Sequence, residues 1–248
     1  MSNAPSTASH DSSAYAHRLA GVRATIAATC EQCGRDPETV LLLAVSKTFP
    51  IDAVDAVAAA GQRAFGENYA QEGVEKAVAR PDLEWHFIGP LQSNKTRGIA
   101  ERFTWVHSID RLKIAERLSA QRPTGLPPLQ VCVQVNIDGE ATKSGCAPHE
   151  ALALCQAIAA LPQLQLRGLM AIPEATADQT TQRRHFAALR QLRDTINAAD
   201  TGLKLDTLSM GMSDDLESAI AEGATIVRIG SAIFGPRTYT DTSAIVAN

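Results

Sequence analysis

The sequence predicts an α/β fold, a single (β/α)8 barrel of the TIM type, on three observations. Eight short apolar runs of strand length alternate with helical patterns along the chain. The 248 residues, 45% hydrophobic, suffice for one large core. The residues that follow each run are small or polar, as the chemistry-bearing end of a parallel barrel requires. A doubly wound open sheet is the alternative, and no Gly-x-Gly-x-x-Gly follows the first run to support its dinucleotide-binding form.

The elements follow in order. Residues 1–12, rich in Ser, Ala, Thr and Asn without apolar periodicity, read as a disordered arm, leaving 13–248 as one barrel domain. Tyr15, Leu19, Val22 and Ile26 at helical spacing give an extra helix ahead of the eight units. Apolar runs then fall at 41–45, 63–65, 84–88, 103–106, 129–135, 164–169, 205–208 and 225–229. The first helical patterns between them are Ile51, Val54 and Val57 ending before Gly61, then Tyr69, Val74, Ala77 and Val78. Ser93 to Ala100 is the weakest pattern; Leu112, Ala115 and Leu118 follow behind Asp110 as a candidate N-cap. Leu152, Cys155, Ile158 and Ala159, then Phe186, Leu189, Leu192 and Ile196, then Leu216, Ala219 and Ile220 before Gly223 complete the alternation.

Composition narrows the function. Lys+Arg 23 against Asp+Glu 27 gives a net charge of −4, and the basic residues are scattered, so neither nucleic acid nor an anionic membrane is the expected partner. No run approaches the roughly 18 apolar residues of a membrane span, and the N-terminus lacks a basic region followed by an apolar one. A cytoplasmic protein is expected. Five scattered cysteines imply reduced thiols. Cys30 and Cys33 form a C-x-x-C, but no second pair or spaced histidines accompany it and a helical pattern precedes it; with no H-E-x-x-H either, no metal site is predicted.

The strand ends carry the candidate chemistry. Lys47 follows the run Leu41–Val45, where an ammonium loses hydration, its pKa falls below the ordinary ~10.4, and the amine becomes nucleophilic toward an aldehyde. On its octapeptide alone, a solvated loop lysine explains the residue as well. Ser209-Met210-Gly211-Met212-Ser213 follows the seventh run, with Ser213 as a helix cap, and Gly230-Ser231 follows the eighth. Two such turns after strands 7 and 8 suit a phosphate, or simply two capped helices; Asp214 and Asp215 must then face solvent. Arg228, inside the eighth run, needs a partner: either an ion pair within the barrel or a ligand whose ring nitrogen it keeps unprotonated.

Taken together, the segments Ala44-Val45-Ser46-Lys47-Thr48, Phe65-Gly66-Glu67-Asn68-Tyr69, His86-Phe87-Ile88-Gly89-Pro90-Leu91-Gln92-Ser93-Asn94-Lys95, Val135-Asn136 and Lys143-Ser144-Gly145 resemble the pyridoxal phosphate homeostasis protein family, relatives of the alanine racemase N-terminal barrel. Gly168 to Pro173, Ser209 to Asp214, Val227 to Ser231 and Phe234-Gly235 extend the resemblance over nearly the whole chain after the arm. It implies pyridoxal 5'-phosphate (PLP) as cofactor, with Lys47 as its aldimine lysine and Arg228 at the pyridine nitrogen. Ser209, Met210, Gly211, Ser213, Gly230 and Ser231 would cradle the phosphate, and Asn68 and Met170 would lie against the ring or its phosphate end.

The family further implies a role in vitamin B6 and amino-acid homeostasis with little or no catalysis and PLP-dependent apoenzymes as partners; a monomer is expected because the added domain that completes a dimeric site in the racemases has no counterpart here. A PLP-dependent amino-acid racemase is the competing reading. Alanine racemases take a second catalytic group, a tyrosine, from an added β-domain for which this chain has no room, and Tyr15, Tyr69 and Tyr239 are its only tyrosines. A Schiff-base aldolase on a phosphate-binding barrel is a third.

Overall fold

A computed structural model of the protein describes residues 8–140 and 143–236, with side chains from Ser12 onward. The strands are β1 Leu41–Val45, β2 Ala64–Glu67, β3 Glu84–Phe87, β4 Trp105–Ile109, β5 Leu129–Gln134, β6 Leu164–Met170, β7 Thr207–Ser209 and β8 Ile226–Ile229. They form a closed parallel barrel in sequence order, and β1 pairs with β8 from Leu41 opposite Ile226 to Ala44 opposite Ile229. Closure excludes the open-sheet alternative. The helices are α1 Ala8–Gln32, α2 Ile51–Ala59, α3 Ala70–Ala79, α4 Thr96–Arg102, α5 Leu112–Gln121, α6 Ala151–Ala159, α7 Gln179–Ala198, α8 Leu216–Ala221 and α9 Ser231–Phe234.

Successive side chains on a strand point to opposite faces, so each barrel strand divides its residues between the interior and the helical layer. Leu42 and Ala44 join the outer core with helix residues such as Val54, Val57 and Ile220, whereas Leu43 and Val45 join Ala64, Ile88, Trp105, Cys132, Met170 and Ile226 in a separate inner cluster. Each fully buried Leu, Ile, Val or Phe contributes about 1.5–3 kcal/mol, which makes the outer layer the main source of stability. The inner cluster is smaller because polar side chains share the interior: His86, His107, Ser209 and Arg228 are all buried there.

Helix α1 buries Leu19, Val22, Ile26 and Cys30 at helical spacing. Arg18 of α1 and Arg35 just beyond its end tie this region to the last units of the barrel: Arg18 Nε donates to the Ile233 carbonyl at 2.8 Å, and Arg35 donates to the carbonyls of Ile220 and Ala224. Tyr15 and Phe49 both pack their rings against Phe234. Of the expected arm, residues 1–7 lie outside the described residues, while helix already runs from Ala8; no Gly or Pro in Ala8–Ala14 stops the helix from extending back past its first apolar residue.

Three local expectations are corrected. The fourth run starts at Trp105, not Phe103, because Phe103 ends α4 and meets Phe87 edge-to-face in the outer layer. The cap position of α5 is Arg111 and that of α8 is Asp215, displacing Asp110 and Ser213 from those roles; neither cap side chain bonds the first turn. Cys30 is buried and Cys33 exposed, both as free thiols, and burial pushes the Cys30 thiol up.

Gly168 on β6 shows how tightly the barrel wall closes: a Cβ there would stand 1.8 Å from the backbone oxygen of Thr207 on β7. A backbone carbonyl cannot swing aside. Gly168→Ala is expected to cost about 3 kcal/mol or more, read as a lower urea midpoint at unchanged slope.

Candidate functional site

The alternation that builds the barrel also assembles its mouth. Continuing the inward phase of β1 past Leu43 and Val45 brings Lys47 to the carboxyl rim, and the same step on β2 brings Asn68, on β6 Ile172, and on β8 Gly230. A cavity of about 270 Å³ opens there, near the lower end of small-ligand clefts. Lys47, Asn68, Ser213, Arg228, Gly230 and Ser231 line it together with Val45, Phe49, Ile88, Ile172, Met212, Asp214 and Gly235.

Lys47 is held through its neighbours. The buried Lys76 of α3 donates to the Ser46 carbonyl at 2.8 Å and to Glu67 Oε1 and Glu72 Oε1 at 2.7 Å each. Ser46 Oγ donates to the same Glu67 oxygen at 2.6 Å, and Thr48, at φ 68°, donates its N–H to Glu72 Oε1 at 2.7 Å. The backbone on both sides of Lys47 is thereby pinned to one buried ammonium. Burial pushes the Glu67 carboxyl up, against the pull of Lys76, and its Oε2 has no partner among the described residues. Just past the ends of β2 and β3, Gly89 lets the chain pass against Asn68, whose carbonyl would stand 2.1 Å from a Cβ at that position.

Arg228 crosses from the interior into the cavity wall. Its Nη1 donates to Ser209 Oγ at 2.9 Å and its Nη2 to the Ala171 carbonyl at 3.0 Å, while its own N–H donates to the Gly211 carbonyl. Burial pulls its guanidinium down to about 10, partly offset by the nearby Asp215 carboxylate. Asp215 therefore does not face solvent as expected. It is partly buried, its Oδ1 accepts the Met212 N–H at 2.5 Å, and burial raises its pKa. Asp214 is exposed yet on the cavity rim. Below Ser209 lie His107 and His86, both wholly buried and both pushed down by that burial.

Six of the ten residues singled out in the sequence thus meet around one cavity, and four lie behind its wall. Met170 belongs to the inner core and Met210 to the outer one. Ser209 faces inward and bonds Arg228, and Gly211, at φ 95°, turns the chain where a Cβ would strike Ala219. Val45, Ile88 and Ile172 are apolar wall residues that motif reading passed over. The period of two, followed to the end of β1 and one step beyond β3 and β6, would have found them.

Comparison with known proteins shows which family the chain belongs to. The sequence pattern described as "Alanine racemase, N-terminal domain" matches residues 15–238. The pyridoxal phosphate homeostasis protein of Pseudomonas aeruginosa is 61% identical over 229 residues, 92% of this chain and 97% of that protein. The chain belongs to the pyridoxal phosphate homeostasis protein family. The Escherichia coli homeostasis protein is 54% identical over 235 residues, covering 91% of this chain and 97% of its own. Among solved structures, PipY of Synechococcus elongatus with PLP bound superimposes with a TM-score of 0.77 at 37% identity, covering 89% of this chain and all of that one.

The support beneath Lys47 is open to a direct test. Lys76→Met leaves Glu67 buried beside an apolar side chain and is expected to cost about 3–5 kcal/mol in a denaturation experiment. The two interior histidines make a second expectation. Their folded pKa values lie below the unfolded ~6.5, so as pH falls below that value the unfolded chain takes up protons the folded one does not. Stability should then drop by up to about 1.4 kcal/mol per pH unit for each imidazole, seen as falling urea midpoints between pH 7 and pH 5.

Proposed function

We propose that the protein binds PLP in the barrel-mouth cavity, holds it as a Schiff base with Lys47, and acts in vitamin B6 and amino-acid homeostasis. The observation that carries this reading is the complementarity of the wall: one amine, one guanidinium, two hydroxyls and a glycine turn surround a cavity also reached by the amide of Asn68. Asn68 Oδ1 is buried without a partner among the described residues, as suits an acceptor awaiting a ligand donor. Ser213, Gly230 and Ser231 would take the phosphate, Arg228 the ring nitrogen, and Asn68 the polar edge of the ring. Met210, Gly211 and Ser209 would support the phosphate end and Arg228 from behind, with Met170 as the floor.

When bound, PLP would supply an aldehyde group able to react with an amine and an electron-withdrawing ring. The protein's own part is to place and hold. Arg228 is anchored at both terminal nitrogens; as a donor facing the ring nitrogen it would keep that nitrogen unprotonated and the ring a weak electron sink. Racemisation needs proton carriers on both faces of a substrate carbon. Among the described lining residues the ionisable groups are Lys47, Arg228 and the exposed Asp214, which supports retention of the cofactor over turnover. In this reading the chain works as a cytoplasmic monomer that passes PLP to PLP-dependent apoenzymes.

The test is the visible spectrum of protein loaded with PLP, followed by borohydride. Wild type is expected to show a visible band and a cofactor fixed by reduction, and Lys47→Ala to lose both. Covalently fixed PLP in the Lys47→Ala protein would remove the lysine from its role, and amino-acid racemisation at about 1 per second or faster would replace the carrier by an enzyme.

A further inference from the structure

Behind Arg228 a line of hydrogen bonds runs through the barrel from the cavity to the opposite mouth. Arg228 Nη1 lies 2.9 Å from Ser209 Oγ, Ser209 Oγ 2.7 Å from His107 Nδ1, His107 Nε2 2.9 Å from His86 Nδ1, and His86 Nε2 3.1 Å from Glu84 Oε1. Ser209, His107 and His86 have no solvent exposure, while the Glu84 side chain is 42% exposed at the start of β3. Trp105, stacked on His86, adds its Nε1–H to the same Glu84 oxygen at 3.0 Å.

We infer that His107, His86 and Glu84 are positioning residues for Arg228, joined to it by a one-way relay in which every hydrogen is donated away from the cavity and both imidazoles carry their proton on Nε2. The use of that relay at a cofactor ring rests on the PLP reading above; its direction does not. A guanidinium can only donate and an ionised carboxylate can only accept, so the two ends have fixed polarity. Hydrogen bonds from His86 and Trp105 keep the Glu84 carboxyl below the usual range, and burial keeps both imidazoles neutral with one N–H each.

Starting from Glu84, His86 must donate from Nε2 and so presents a lone pair at Nδ1. His107 must then donate from Nε2 to that lone pair, leaving its own Nδ1 to accept the Ser209 hydroxyl proton. The Ser209 oxygen is left with only lone pairs to offer Arg228. Reversing either histidine would set lone pair against lone pair or hydrogen against hydrogen inside a dry interior. The consequence at the cavity is specific: Ser209 cannot rotate its hydrogen toward Arg228 or a ligand, and the guanidinium, fixed by Ser209 and the Ala171 carbonyl, keeps one orientation.

The decisive experiment reads the tautomers in the protein without PLP. Nitrogen-15 NMR of histidine-labelled wild type should show protonated Nε2 and unprotonated Nδ1 at both His86 and His107 at neutral pH; an Nδ1–H form or a charged ring at either would overturn the relay. Glu84→Leu, at the exposed end where folding is least at risk, should abolish the single tautomer at His107, which Glu84 does not touch; an unchanged His107 signal would likewise overturn it. In PLP-loaded protein His86→Phe should move the visible band and weaken PLP binding about fivefold, the worth of one neutral hydrogen bond. Unchanged band and affinity in that variant would reduce the chain of residues to core filling. If wild type takes up no PLP, the functional reading fails while the tautomer measurement still decides the relay.

Discussion

Closure of eight parallel strands into a ring is the constraint on which the rest depends. Once β8 pairs with β1, every strand has a dry inner face, and every second residue must either fill that space or cross it. Apolar side chains together with His86 and His107 fill the interior, and the inward phase emerges at the mouth as Lys47, Asn68, Ile172 and Gly230. Lys47 and Arg228 therefore face one cavity because β1 and β8 are neighbours, although they come from opposite ends of the sequence. No local motif brings them together.

A polar barrel interior is costly, and the structure offsets that cost by completing its hydrogen bonds. The guanidinium of Arg228 has partners at both terminal nitrogens and a carboxylate, Asp215, within electrostatic reach. Lys76 does the same work on the outer side, joining Ser46, Glu67 and Glu72. Each network adjoins a basic wall residue, Arg228 or Lys47, so rigidity is concentrated where a ligand would need it.

The strands were legible because both of their faces are buried, which leaves short apolar runs that stand out against polar helix surfaces. That signal faltered where the interior turns polar. His107 and Ser108 look like loop residues in sequence but lie inside β4, and Phe103 looks like strand but belongs to the helix layer. At the site, Lys47, Arg228 and the turns after β7 and β8 were readable from residue type and position. The role of Ser209 was not, because its contact with His107 spans 102 residues and depends on how β4 and β7 face each other across the barrel. Asp215 was misplaced for a related reason: its partner is the backbone N–H of Met212, a donor that no side-chain pattern announces.

The bond from Arg18 in α1 to the carbonyl of Ile233 in α9 joins residues 215 positions apart. The first and last described helices are thus joined directly, and β1 finds its second neighbour only in the last strand. During synthesis the amine of Lys47 leaves the ribosome early, whereas Arg228 and the Gly230-Ser231 turn emerge near the end. Such long-range closure is slow compared with helix formation and comes late in folding. Lys47 therefore spends the growth of the chain without its neighbours across the barrel mouth, and the cavity becomes a property of the finished molecule.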